Sequence, residues 1–229
     1  MKQWQVLQTV FPKVITENFE FTNCEEKTFL IAALIISCIG SFAQETDKEW
    51  RKKFINLSFC NTTLSQDNVQ PLKSNYGAAF TVGRTYFLHK PIGGLLRFGI
   101  DATWFDINYT NYDVEHITYW DTKKYQHHQG EVSLHVGPSV TLKPLKRVLL
   151  HAYFQYAPAF AVIYTGNNEI LSGNYASMWV IGGSVSYGAI GLGIESRFGK
   201  VSYKPFKSTD FETFNASLTG FRAYLAFKF

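Results

Sequence analysis

Phe221-Arg-Ala-Tyr-Leu-Ala-Phe-Lys-Phe229 decides how this chain folds. Strand side chains point alternately to opposite faces. Phe221, Ala223, Leu225, Phe227 and Phe229 therefore share one face, and Arg222, Tyr224, Ala226 and Lys228 share the other. One side is greasy and the other carries cations, the pattern of a strand with lipid outside and a polar lumen inside.

Working back from that strand, alternation recurs seven more times. Phe54–Cys60 sets Ile55, Leu57 and Phe59 against Asn56, Ser58 and Cys60, and Tyr76–Thr85 sets Tyr76, Ala78, Phe80 and Val82 against Gly77, Ala79, Thr81 and Gly83. Leu96–Phe105, Glu131–Leu142, Leu149–Tyr164, Trp179–Tyr187 and Ile190–Phe198 follow, with Leu218–Phe229 closing the set. Glu131–Leu142 alternates most cleanly, with five Val or Leu residues facing one way. Short links at His89–Gly94, Lys143–Arg147 and Gly188-Ala189 alternate with longer stretches at Asn61–Ser74, Asp106–Gln129, Thr165–Ala176 and Lys200–Ala216. An all-β, eight-stranded antiparallel up-and-down transmembrane barrel is predicted, with both termini on the periplasmic side. About ten residues rising roughly 3.3 Å each, tilted near 40°, span about 25 Å of bilayer. An even strand number also leaves no open edge in lipid.

Composition agrees with this reading. Aromatic residues make up 17% of the 229-residue chain and charged residues only 17%, below the roughly 25% of ordinary soluble domains. Mean hydropathy is −0.09, so the apolar residues are dispersed and not gathered into spanning helices. The net charge of +4 is scattered without a basic stripe, which argues against nucleic acid as a partner.

The first 43 residues read differently. Lys27 precedes the apolar run Phe29–Ile39, and Gly40-Ser-Phe-Ala43 supplies a small-x-small end. Residues 27–43 are expected to be a helical secretory signal peptide cleaved after Ala43, the run being shorter than the roughly 20 residues of a spanning helix. Residues 1–26 are expected to be an extension outside the mature protein, and 44–229 the barrel domain. The alternatives are an uncleaved anchor and lipidation at Cys38, which Ile35-Ile-Ser-Cys38 would permit. Cleavage leaves Cys60 as the sole cysteine and excludes an internal disulfide.

The ending Ser41-Phe-Ala-Gln44, eight alternating segments and a terminal Phe resemble small outer-membrane β-barrel proteins of the Bacteroidota, with the architecture of outer-membrane protein A or X. The resemblance implies that Phe221, Tyr224, Leu225, Phe227 and Phe229 form the C-terminal signal read by barrel-assembly machinery. It implies outer-membrane lipid as the surroundings and names no activity.

Within that frame, Trp104, Tyr164, Trp179 and Tyr187 are expected at strand ends as girdles where bilayer meets water. Inward faces collect Arg97, Asp101, Glu131, His135, His151, Glu195, Arg197, Arg222 and Lys228. An eight-stranded barrel is narrow enough for side chains to fill, so these charges are expected to pair into a plug. A narrow ion or small-solute pore is the competing reading. In the stretch 106–129, Tyr112, Tyr119, Trp120 and Tyr125 are candidates for surface recognition, and His116, His127 and His128 are weak candidates for a metal. No cofactor is expected. A lipid-modifying barrel enzyme would need a histidine beside an acid and a hydroxyl, and His128, Glu131 and Ser133 are the nearest set. A soluble calycin-like barrel would carry its charge outside, the reverse of Glu131–Leu142.

Overall fold

In a computed structural model the described residues are 50–66, 70–118, 121–165, 170–204, 206 and 214–229, with backbone alone for 115–118, 121–124, 165, 170 and 214. Residues 1–49, including Cys38 and Ala43, lie outside them, as do Tyr119 and Trp120. Eight strands follow one another: β1 (Lys53–Ser65), β2 (Leu72–Phe87), β3 (Leu96–Thr118), β4 (Asp121–Leu145), β5 (Val148–Thr165), β6 (Ile170–Tyr187), β7 (Ile190–Tyr203) and β8 (Phe214–Lys228). Each pairs antiparallel with its neighbour, and β1 pairs with β8, so the sheet closes. The closing seam runs from Phe54 opposite Lys228 to Ser65 opposite Ser217. Beyond it, the Lys52 and Lys53 amides donate to the Phe229 carbonyl at 2.9 and 3.1 Å.

Register fixes the dimensions. A walk along paired residues from Lys53 passes Arg84, Ala102, Val136, Tyr156, Trp179, Phe198 and Thr219, and returns to β1 at Thr63, ten residues further along. A stagger of that size tilts the strands by about 40° and makes the wall about 16 Å across between backbones.

Burial is inverted relative to a soluble protein. Leu192 is 68% exposed and Leu134 56%, whereas Arg222 is 1% exposed and Asp106 fully buried. In β7 the pattern alternates almost without break, Leu192, Ile194 and Phe198 outward, Glu195 and Arg197 inward. The outward row is predominantly apolar over the middle of each strand, with Ser196 on β7 as a polar interruption.

Strands exceed the expected segments chiefly at the end where β1 leads into β2. The largest difference concerns 106–129, expected as a loop: β3 runs on to Thr118, and β4 begins at Asp121. A bulge explains why alternation missed it. Trp104 and Phe105 are both exposed, and the β3–β4 register shifts between Thr103 and Asp106. Before the bulge odd-numbered residues point inward (Asp101, Thr103); after it even-numbered ones do (Asp106, Asn108, Thr110). At the opposite end, Gly188 has φ +61°, as its two-residue hairpin requires.

Candidate functional site

The lumen is filled in three layers. At the turn-side mouth Trp50 is buried edge-on to Phe87, with ring centroids 5.8 Å apart. The Arg97 guanidinium lies over both rings, 4.1 Å from the Phe87 centroid and 5.2 Å from that of Trp50. Arg97 thus belongs to an aromatic stopper and not to the central charge cluster in which the sequence grouped it. Just inside, Asp101 accepts from Ser139 Oγ at 2.8 Å and contacts His151 Nε2 at 2.7 Å, while Thr141 Oγ1 lies 2.9 Å from His151 Nδ1. Lys228 Nζ donates to Ser184 Oγ at 3.2 Å. The order Thr141–His151–Asp101 is that of a nucleophile, base and carboxylate. The cavity beside it is ≈30 Å³, space for about two water molecules and not for an organic substrate.

Arg222 holds the middle layer. Its guanidinium grips Asp106 with two bonds, Nη1 to Oδ1 at 3.0 Å and Nη2 to Oδ2 at 3.2 Å, and reaches Glu195 at 3.1 Å. Asp106 also accepts from Thr81 Oγ1 at 2.8 Å and Ser133 Oγ at 3.0 Å, with His135 Nε2 at 3.3 Å. Four strands therefore meet on one carboxylate, which answers the cost of burying it. Glu195 accepts from Tyr153 at 2.7 Å, and Tyr224 donates to the Gly183 carbonyl at 3.2 Å. Gly193 makes room for this: a Cβ there would enter the Tyr224 ring.

Towards the loop side, Arg197 Nη1 donates to Glu131 at 2.9 Å, and Asn108 and Gln129 each donate to Glu131 at 3.1 Å. Tyr112 donates to Gln129 at 2.5 Å. Much of the remaining lining at this level is apolar: Ala157, Ala161, Ile163, Met178, Val201, Tyr203 and Leu218 on β5 to β8 form one cluster with Tyr112 and Leu64.

Asp106, the most connected acid, was assigned to a loop by the sequence, and Trp50 was not singled out at all. Polar residues alternating after the bulge were the signal for the first; nothing in the sequence marked the second. Tyr112, expected on the surface, is fully buried in the lumen. Tyr125 lies on β4 opposite Val114. His128 and the pair Glu131 and Ser133 stand on opposite faces of the wall, so they form no catalytic set: His128 stacks on Tyr109 outside, its Nδ1 2.6 Å from the tyrosine hydroxyl, while Glu131 and Ser133 face inward. His127 and His128, being adjacent on β4, cannot ligate one ion together; of His116 the backbone alone is described.

Trp104, Tyr164, Trp179 and Tyr187 all lie on the outer face. Trp104 and Trp179 sit within the lengths of β3 and β6, away from the strand ends where they were expected. Tyr76, Tyr109, His128 and Tyr164 make a ring-to-ring row across four strands near the loop side, with centroids 6.0 to 6.4 Å apart. Along β8, Phe221, Leu225 and Phe227 face outward, and Tyr224 faces the lumen.

No family model matches the chain, and no curated protein matches it. Solved structures do. Neisserial surface protein A aligns over 77% of this chain and 97% of its own at 13% identity, with a TM-score of 0.45. The chain resembles outer-membrane β-barrel proteins. Ail, the attachment invasion locus protein of Yersinia pestis, covers 78% of this chain and 99% of its own at 8% identity (TM-score 0.39). The outer membrane enzyme PagL covers 76% and 99% at 9% identity (TM-score 0.36). At such identities the likeness concerns the arrangement of strands alone, and it spans an enzyme as well as an attachment protein.

Proposed function

We propose that the chain is an outer-membrane β-barrel whose lumen is closed by its own side chains, with a structural, adhesive or surface-recognition role. The observation that carries this is the inversion of burial: apolar residues predominate on the outside of every strand, while Arg197, Arg222, Glu131, Asp106 and Glu195 are paired within. An aromatic stopper, an ion-paired middle and a half-apolar loop-side layer favour a plug over an ion path. The leader would be removed after Ala43 and the barrel assembled through its C-terminal strand, with both termini periplasmic. Outward contact would then fall to the loop side, where β3 and β4 continue as a two-stranded ribbon. β2 pairs with β3 as far as Tyr112 and β5 with β4 as far as His127, and about six further residues of each strand extend the ribbon by roughly 15–20 Å.

Three measurements test the proposal. The folded barrel should run faster on SDS gels before boiling than after and need detergent to stay in solution; an unshifted band from detergent-free protein would refute it. Planar bilayers containing the protein should stay silent, and stepwise conductance would replace the plug with a pore. Lipid A acyl composition should be unchanged in a deletion strain, since no competent His, acid and hydroxyl set faces the membrane among the described residues.

A further inference from the structure

One side of the outer wall is concave. A groove of ≈1150 Å³ crosses β4 to β8 on the turn-side half, and its floor is a paired row of mostly small residues, Ala152, Gly183, Ile194 and Ala223. Larger side chains rise on both sides: Ile181 and Phe221 towards the loops, Leu150, Val185 and Leu192 towards the turns. From Leu142 on β4 to Ala223 on β8 the groove crosses four interstrand spacings, about 19 Å. The wall is thin here because glycine sits on it from both sides. Gly182 faces in against the Tyr153 hydroxyl, and Gly183 faces out with its carbonyl engaged by Tyr224 from within. At the foot of the groove Leu142 pairs with Leu150, and three residues below them the hairpin turns through Lys146 and Arg147, both exposed.

An apolar channel with two cations in the hairpin below its foot suits an amphiphile with one anionic end. We infer that this groove binds an anionic glycerophospholipid of the turn-side leaflet, its phosphate on Lys146 and Arg147 and an acyl chain along Ala152, Gly183 and Ala223. The inference rests on the membrane-spanning reading above. The chain is held by shape: Ala152, Gly183 and Ala223 lie below the flanking Ile181, Phe221, Leu150, Val185 and Leu192, with Ile194 the one large side chain within the row. The headgroup is held by charge, in a zone where the two cations have no acid beside them in the hairpin.

The test is native mass spectrometry of the full-length protein in nanodiscs of mixed phosphatidylglycerol and phosphatidylethanolamine, stripped by stepwise detergent. The wild type should retain one phosphatidylglycerol at roughly thirtyfold the occupancy of phosphatidylethanolamine, the preference two surface cations supply. K146Q/R147Q should bring the two lipids to equal occupancy. Ala152→Phe, which fills the floor, should release both, with Ala223→Leu as a milder filler should the first variant not fold. Ala78→Phe, on the β2 wall away from the groove, should change nothing. Equal retention by all variants would overturn the inference, as would a second copy of the chain released by Ala152→Phe in place of lipid. A wild type that fails to enter discs would instead sink the spanning reading itself, while an inserted but lipid-free barrel would sink the groove alone.

Discussion

The two walls of the loop-side lumen differ. On the β3 and β4 wall Glu131 is held by Arg197, Asn108 and Gln129, and below it Asp106 is held by Arg222; beside them β5 and β6 present Ala157, Ala161, Met178 and Val180. Both walls exclude solvent, by different physics. A charged group away from water needs every partner in place, so removing one leaves the others stranded. Apolar packing loses transfer energy and gains a void, a graded cost that neighbours partly relieve. The polar wall therefore specifies one arrangement of strands, and the apolar wall supplies cohesion with more tolerance.

The contrast is broken most directly at Arg222. Arg222→Met strands Asp106 and Glu195 together and should cost about 3–5 kcal/mol, read as a lower urea midpoint for loss of the fast-migrating band. Adding Asp106→Asn and Glu195→Gln should recover much of that loss; no recovery would mean that charge is not what holds this wall. On the apolar side, Met178→Ala should cost about 2–4 kcal/mol by leaving a void, in the same assay, a loss that includes the 3.5 Å contact of its sulfur with Arg197 Nη2. Leu134→Arg probes the outside, where an arginine in the middle of the apolar band should cost about 2–4 kcal/mol in a bilayer; vesicle-refolding titrations measure it, and a neutral result would contradict lipid contact at that face. Smallest of all, Thr141→Val removes a single hydrogen bond to His151 and should lower stability by about 1 kcal/mol. A loss several times larger would mean that the Asp101 cluster acts as one unit with the layer above it.

Much of this was legible beforehand, for reasons specific to each stretch. In Glu131–Leu142 and Phe221–Phe229 one face points out from the barrel and the other into a polar interior, so the sequence carries the period. The inward charges followed from that period, Glu131, Glu195, Arg197 and Arg222 among them. The bulge at Trp104 and Phe105 hid the rest of β3, because one extra residue reverses the phase and makes a continuing strand look irregular. Tyr112 was misplaced for the same reason: beyond the bulge its side could not be counted from Leu96.

By itself, then, the sequence determined the alternation, the number of strands and the sign of each face, because these are local consequences of strand geometry. The tertiary structure alone decided who meets whom. Asp106 and Arg222 lie 116 residues apart and touch only because the ten-residue stagger brings β3 and β8 to the same height across the lumen. Pairing across a closed barrel depends on how far the sheet has shifted when it closes, and no local pattern carries that quantity. The phospholipid groove has the same origin. Ala152, Gly183 and Ala223 are unremarkable small residues on three strands until the register sets them in one row above Lys146 and Arg147.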